Sequence, residues 1–178
     1  MMKIAVFCSA NKDIDHYFFE KTEELGKWCA ENGHTIVFGG CDMGLMECVA
    51  KAAHDHGGMT IGVIPSKVEK NGHVSKYVDV EIPCDNLSDR KDLMLAQSDV
   101  FIALPGGIGT LDEIFTVAAS ACIGYHHKKV IIYNIKNFWN PLINLLNDIQ
   151  NKGLMREPYS EHIQIVNDFE ELKKILLS

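Results

Sequence analysis

The chain of 178 residues lacks most of what marks a membrane, metal or polymer-binding protein. No apolar run approaches the roughly 20 residues that a membrane helix needs, which excludes a membrane partner of that kind. Basic residues are in deficit: 17 Lys and Arg stand against 24 Asp and Glu, a net charge of −7. That balance excludes a broad phosphate-tracking surface, so no nucleic-acid polymer is expected as a partner. None of the six cysteines falls in a C-x-x-C pair. Neither His54-Asp55-His56 nor His126-His127 has the i, i+4 spacing of a zinc helix, so no metal is expected. The first eight residues carry one lysine and a five-residue apolar run, too little for a secretion signal. The expectation is a cytoplasmic protein with reduced, mostly buried cysteines. Repeats, linkers and low-complexity stretches are also missing, which leaves one domain over residues 1–178.

What is present is an alternation of strands and helices. Apolar runs at 3–8, 35–38, 59–64, 100–104, 130–133 and 163–166 read as strands, with an alternating candidate at 77–82. Helical periodicity appears over 13–32, 45–56, 88–97, 114–123 and 138–151. A capping box at Asp168 to Glu171 opens a last helix. The polar stretch 66–76 reads as a mobile loop. Strands apolar on both faces imply a mostly parallel sheet covered by helices on each side, the doubly wound, Rossmann-like α/β class. Ligands in such sheets bind beyond the carboxyl ends of the strands.

The segment Pro105-Gly106-Gly107-Ile108-Gly109-Thr110-Leu111-Asp112-Glu113 joins an apolar strand to an apolar helix. Glycines there let the backbone approach a ligand, and a helix N-terminus favours an anion, best a phosphate. Glu113 then carries an acid to an anion site. Locally, though, Thr110-x-x-Glu113 is itself a capping box, and taken alone the pattern favours a cap over chemistry. Asp112 projects roughly 100° away around the helix, so the two acids do not form a simple pair. A second turn, Gly39-Gly40-Cys41-Asp42-Met43-Gly44, reads equally as a phosphate or ribose contact and as plain turn geometry. Neither turn has a P-loop ending or a full dinucleotide fingerprint, which disfavours triphosphate hydrolysis and NAD. Arg90 and Lys91 stand in the first turn of their helix, where an anionic partner and a solvated pair beside Asp89 and Asp92 explain the cations almost equally. Met94 on the same helix reads as core rather than a ligand contact. Ser9 and Asn11, after the first strand, are further candidate ligand contacts.

Together these pieces resemble the LONELY GUY family, long misnamed lysine decarboxylases. The resemblance rests on the P-G-G-x-G-T-x-x-E run from Pro105 to Glu113 and on Arg90-Lys91-x-x-Met94 upstream. Val6-Phe7-Cys8-Ser9, the Gly39-Gly40 to Gly44-Leu45-Met46 turn and Ile61-Gly62-Val63-Ile64-Pro65 add to it. It implies hydrolysis of the N-glycosidic bond of nucleoside 5′-monophosphates, cytokinin ribotides or AMP, to free base and ribose 5-phosphate. By position it makes Glu113 and Arg90 catalytic. Lys91, Gly106, Gly107, Ile108, Gly109, Thr110, Gly39, Gly40, Gly44 and Met94 become substrate or phosphate contacts. It implies no cofactor or metal, and a homodimer or larger homo-oligomer with the site near the subunit interface. Cys41, Glu47, Leu87-Ser88-Asp89 and Ala119 depart from the family pattern, at the flanks of the pocket. Two alternatives stay open. One is a non-hydrolytic binder of a phosphorylated nucleotide or pterin-type cofactor. The other, a pyridoxal-phosphate decarboxylase, lacks a recognisable Schiff-base lysine context.

Overall fold

A computed structural model describes residues 1–177. The strands are β1 (Lys3–Phe7), β2 (Thr35–Phe38), β3 (Met59–Pro65), β4 (Val80–Cys84), β5 (Val100–Ala103), β6 (Val130–Tyr133) and β7 (Ile163–Val166). The helices are α1 (His16–Glu31), α2 (Gly44–Asp55), α3 (Ser66–Lys70), α4 (Leu87–Gln97), α5 (Ile108–Cys122), α6 (Asn140–Asn151) and α7 (Phe169–Leu177). All seven strands join one parallel sheet in the order β4-β3-β2-β1-β5-β6-β7. The Rossmann-like α/β class read from the sequence is the fold.

The order reverses between β1 and β5, which pair from Ile4 opposite Val100 to Phe7 opposite Ala103. A crevice opens at such a reversal because the connections leave on opposite faces. Alternate residues of the central strands feed two cores. Ile4, Val6, Ile36, Phe38 and Ile102 meet Leu25 of α1, Val49 of α2 and Leu172 of α7 on one face. Ala5, Phe7, Val37, Phe101 and Ile132 meet Met94 of α4, Ile114 of α5 and Leu146 of α6 on the other. Burial on both faces is why these strands read as continuous apolar runs rather than alternating ones.

Several expectations shift. The polar stretch 66–76 contains α3, and Cys41 and Val74 form an isolated bridge that ties it to the turn after β2. β4 starts three residues later than expected, because Tyr77 and Asp79 are taken up by Thr60. The Thr60 hydroxyl donates to the Tyr77 carbonyl, and the Thr60 amide donates to Asp79 Oδ2 at 2.8 Å. α4 is capped by Asn86, whose Oδ1 accepts from the amides of Ser88 and Asp89, and not by Ser88. The last capping box forms as expected in part: Asp168 Oδ1 accepts from the Glu171 amide at 2.8 Å, while Glu171 reaches back to the Asn167 amide.

Candidate active site

Three turns meet beyond the ends of β1, β2 and β5. The Ser9 amide donates to the Pro105 carbonyl at 3.1 Å, and the Leu45 amide donates to the Ser9 carbonyl at 2.8 Å. The turn after β1 is thereby stitched to the glycine turn after β5 and to the start of α2. A cleft of about 310 Å³ opens here, a size suited to a small molecule. Its walls include Cys8, Ser9 and Ala10 after β1, Met46 of α2, Leu87, Arg90 and Lys91 of α4, and Gly107, Gly109, Thr110, Asp112 and Glu113 of α5.

α5 begins at Ile108, two residues before the capping-box position of Thr110, with Gly107 as its N-cap and no side chain capping it. The first helical bond runs from the Leu111 amide to the Gly107 carbonyl at 3.0 Å. The amides of the preceding turn have no acceptor within the helix, and they carry the positive end of its dipole. An anion is the natural partner for that end.

This start also settles the local ambiguity at Glu113. Thr110 lies inside the helix rather than at its cap, so the capping-box reading fails. Glu113 instead accepts a hydrogen bond from Arg90 Nη2 at 2.8 Å, and both side chains are largely buried. Asp112, on the next face, takes both its oxygens to Lys91 Nζ at 2.8 Å. Two ion pairs thus bridge α4 and α5 side by side. Burial pushes the Glu113 carboxyl up from its ordinary value, and the Arg90 guanidinium only partly offsets this. The carboxyl is therefore poised to exchange a proton or to face a developing cation. Cys8, also in the cleft, is driven well up by burial and by Glu113 beside it, so it stays a thiol.

The expected contacts divide. Arg90, Lys91, Gly107, Gly109, Thr110 and Glu113 line one cleft. Gly106 lies behind it, where a Cβ would collide with the Thr110 side chain. Ile108 points largely into solvent. Met94 is fully buried in the core beneath and is not among the cleft walls. Gly39, Gly40 and Gly44 also stand outside the walls. A Cβ on Gly39 would come within 2.5 Å of Arg90 Nη2, so that glycine makes room for the guanidinium. Asn11 is turned into its own loop, its side-chain Oδ1 accepting from the Asp13 backbone amide at 2.9 Å. Cys8 and Ala10 were not anticipated. Their signal was position alone, directly after the strand at the sheet's reversal.

The model of a family described as "Possible lysine decarboxylase" matches residues 46–176. The chain belongs to that family, the LONELY GUY family. The rice protein "Probable cytokinin riboside 5′-monophosphate phosphoribohydrolase LOGL2" is 34% identical over 92% of this chain and 67% of its own length. The cytokinin riboside 5′-monophosphate phosphoribohydrolase of Mycobacterium tuberculosis is 32% identical over 94% of this chain and 89% of its own length. Rice LOG itself is matched over only 64% of its length, so the chain spans about two thirds of these plant relatives. Among solved structures, the molybdenum cofactor binding protein of Rippkaea orientalis superposes with a TM-score of 0.70 at 25% identity, covering 99% of this chain and 97% of that one.

Proposed function

We propose that this protein hydrolyses the N-glycosidic bond of nucleoside 5′-monophosphates, cytokinin ribotides or AMP, releasing the free base and ribose 5-phosphate. One observation carries the reading. A buried carboxyl, held by a buried guanidinium, sits one turn inside an uncapped helix N-terminus that faces the same cleft. Family membership and the two phosphoribohydrolase relatives support it.

The 5′-phosphate binds the free amides at the start of α5. Gly107 and Gly109 bare the backbone there: a Cβ on either would meet no protein atom within 4 Å. Glu113 lies four residues on from Gly109, about 6 Å along the axis, so an anchored phosphate brings the ribose to the carboxyl. Breaking the bond from C1′ to the base nitrogen leaves positive charge on the sugar ring. The Glu113 carboxylate stabilises that charge and takes a proton from the water that attacks C1′. The departing base acquires the proton that completes hydrolysis. Arg90 holds Glu113 in place, and Lys91 and Arg90 offset the substrate's negative charge. Cys8, kept as a thiol, is not the nucleophile.

The name lysine decarboxylase does not fit this site. Among the residues lining the cleft the lysine is Lys91, and its amine is tied to both oxygens of Asp112. A Schiff-base lysine must present a free amine to a carbonyl carbon, and this one is already held in an ion pair on the cleft wall. The same proposal takes the protein to be cytoplasmic and homo-oligomeric. Six unbridged cysteines support a reducing compartment. Phe115 on α5 and Ile123 just past its end, 40% and 68% exposed, support a covered apolar face.

A panel of nucleoside 5′-monophosphates, each assayed for free base and ribose 5-phosphate beside its unphosphorylated nucleoside, tests the proposal. Base release from the monophosphates and far slower release from nucleosides is expected. Equal rates would remove the phosphate-anchoring argument. The likeness to the Rippkaea protein favours a second reading, a carrier of a pterin-type cofactor. Thermal stabilisation by such a ligand, with no base released from any nucleotide, would select it.

A further inference from the structure

A second cavity, about 700 Å³, lies between α5, α6 and the segment that leads into β7. Much of its wall is apolar, including Phe115, Ala118, Leu146, Met155 and Ile163. Three other lining residues bring a different chemistry. Cys122 closes α5, Glu157 lies in the turn after α6, and His162 immediately precedes β7. Cys122 is far in sequence from Glu157 and His162, which is why no metal spacing was visible there. In the fold, one donor atom from each lies within 4.8 Å of the others. His162 Nε2 stands 2.6 Å from Glu157 Oε1.

We propose that Cys122, Glu157 and His162 form a binding site for a thiophilic divalent cation of the zinc class. Sulfur, imidazole nitrogen and carboxylate oxygen are the three donors such an ion selects, and three protein ligands leave a fourth position open. Bonds of about 2.0 to 2.3 Å in a tetrahedral arrangement put donors roughly 3.3 to 3.8 Å apart. The histidine–carboxylate pair, at 2.6 Å, must open by roughly 0.7 Å, and the thiol must settle roughly 3.5 Å from each. Glu157 is 47% exposed at its side chain, and Cys122 is exposed, so both have room to move.

A nucleophilic triad fits less well. The imidazole nitrogen is already committed to Glu157, and that carboxylate opposes a thiolate at Cys122 unless a cation sits between them. On binding, the ion takes the place of the thiol proton, which passes to solvent. It then ties the last turn of α5 to the segment before β7. The site is separate from the Arg90–Glu113 cleft and does not rest on the proposed hydrolysis.

Cobalt(II) is the probe. The full chain, stripped with a chelator and kept reduced, is titrated with Co²⁺ and followed by absorbance. One equivalent is expected to bind, with a sulfur-to-cobalt charge-transfer band and intense tetrahedral visible bands that Zn²⁺ abolishes by displacement. Cys122→Ser should remove the charge-transfer band, and Cys122→Ser and His162→Ala should each weaken binding at least tenfold. Cys48→Ser, at a half-buried thiol outside the set, should change neither. Zn²⁺ should raise the melting temperature of the parent and not of Cys122→Ser, whose own metal-free melt reports folding. No binding at equimolar Co²⁺, or a charge-transfer band that survives Cys122→Ser, would overturn the proposal.

Discussion

The two glycine turns of this protein look alike in sequence and do opposite work. The turn after β2 needs its glycines for the fold. Gly44 has φ +59°, and a Cβ there would come within 2.5 Å of the Ala10 backbone carbonyl carbon. Gly40, at φ +73°, would drive a Cβ to within 2.5 Å of Ile64. The turn after β5 is different: Gly107 and Gly109 have ordinary φ and nothing within 4 Å of a Cβ. Fold geometry does not demand glycine at those two positions. What they leave open is the cleft at the start of α5. Glycine in the first turn is therefore steric necessity; in the second, Gly106 yields to Thr110, while Gly107 and Gly109 give a ligand access.

Arg90, where the two turns meet, should show the largest effect. It packs on Gly39 and pairs with Glu113, and both charged side chains are nearly buried, 12% and 7% exposed. Arg90→Ala strands a buried carboxylate, which costs about 3 to 5 kcal/mol in such pairs. Urea unfolding should register that loss, and base release should fall with it. Gly44→Ala comes next, destabilising by about 2 to 3 kcal/mol through backbone strain and the clash with Ala10. A loss under about 1 kcal/mol there would mean that the first turn is not steric in origin.

Gly109→Ala should do the reverse. Unfolding free energy should change by no more than about 1 kcal/mol, and could rise, since alanine is the better helix former. Its methyl group intrudes on the phosphate position, so KM for a nucleoside monophosphate should rise roughly tenfold, a cost of about 1.4 kcal/mol. An unchanged KM would erase the contrast between the turns.

The smallest effect is a displacement along the pH axis. Because burial raises Glu113, the acid limb of kcat/KM should lie above the ordinary glutamate value of about 4.3. Activity falls as pH drops through that limb, where the carboxylate gains its proton. Arg90→Gln removes the charge that holds Glu113 down, so the limb should move higher still. Stability runs the other way. The fold favours the protonated form, so this group's contribution is full below the ordinary carboxylate value and is lost as pH rises through the raised one. Equilibrium unfolding of the parent and of Glu113→Gln across that range would separate this contribution from the rest of the chain.

The strands and their sheet were legible because parallel strands buried on both faces leave unbroken apolar runs, as at Val100 to Ala103 and Val130 to Tyr133. Legibility failed where distant groups decide. Thr110-x-x-Glu113 mimics a cap, and only Arg90, 23 residues upstream, draws Glu113 away from it. α3 escaped notice because five polar-rich residues show no period, and the bridge from Cys41 to Val74 that ties its end to the first turn is not local. Met94 is core, as its residue type alone suggested, and only its family spacing from Arg90 made it a candidate contact. Cys122, Glu157 and His162 converge only through the packing of α5 against the chain that enters β7.

The central claim is that the Glu113 carboxyl, at the ligand-bearing turn, cuts the bond. Steady-state release of free base from AMP and from a cytokinin ribotide, by the parent and by Glu113→Gln, tests it most directly. Glutamine keeps the shape and a hydrogen bond to Arg90 but cannot carry the charge or take the proton. A rate reduced by about a thousandfold is expected, with circular dichroism unchanged. A folded Glu113→Gln protein that releases base at the parent rate would contradict it.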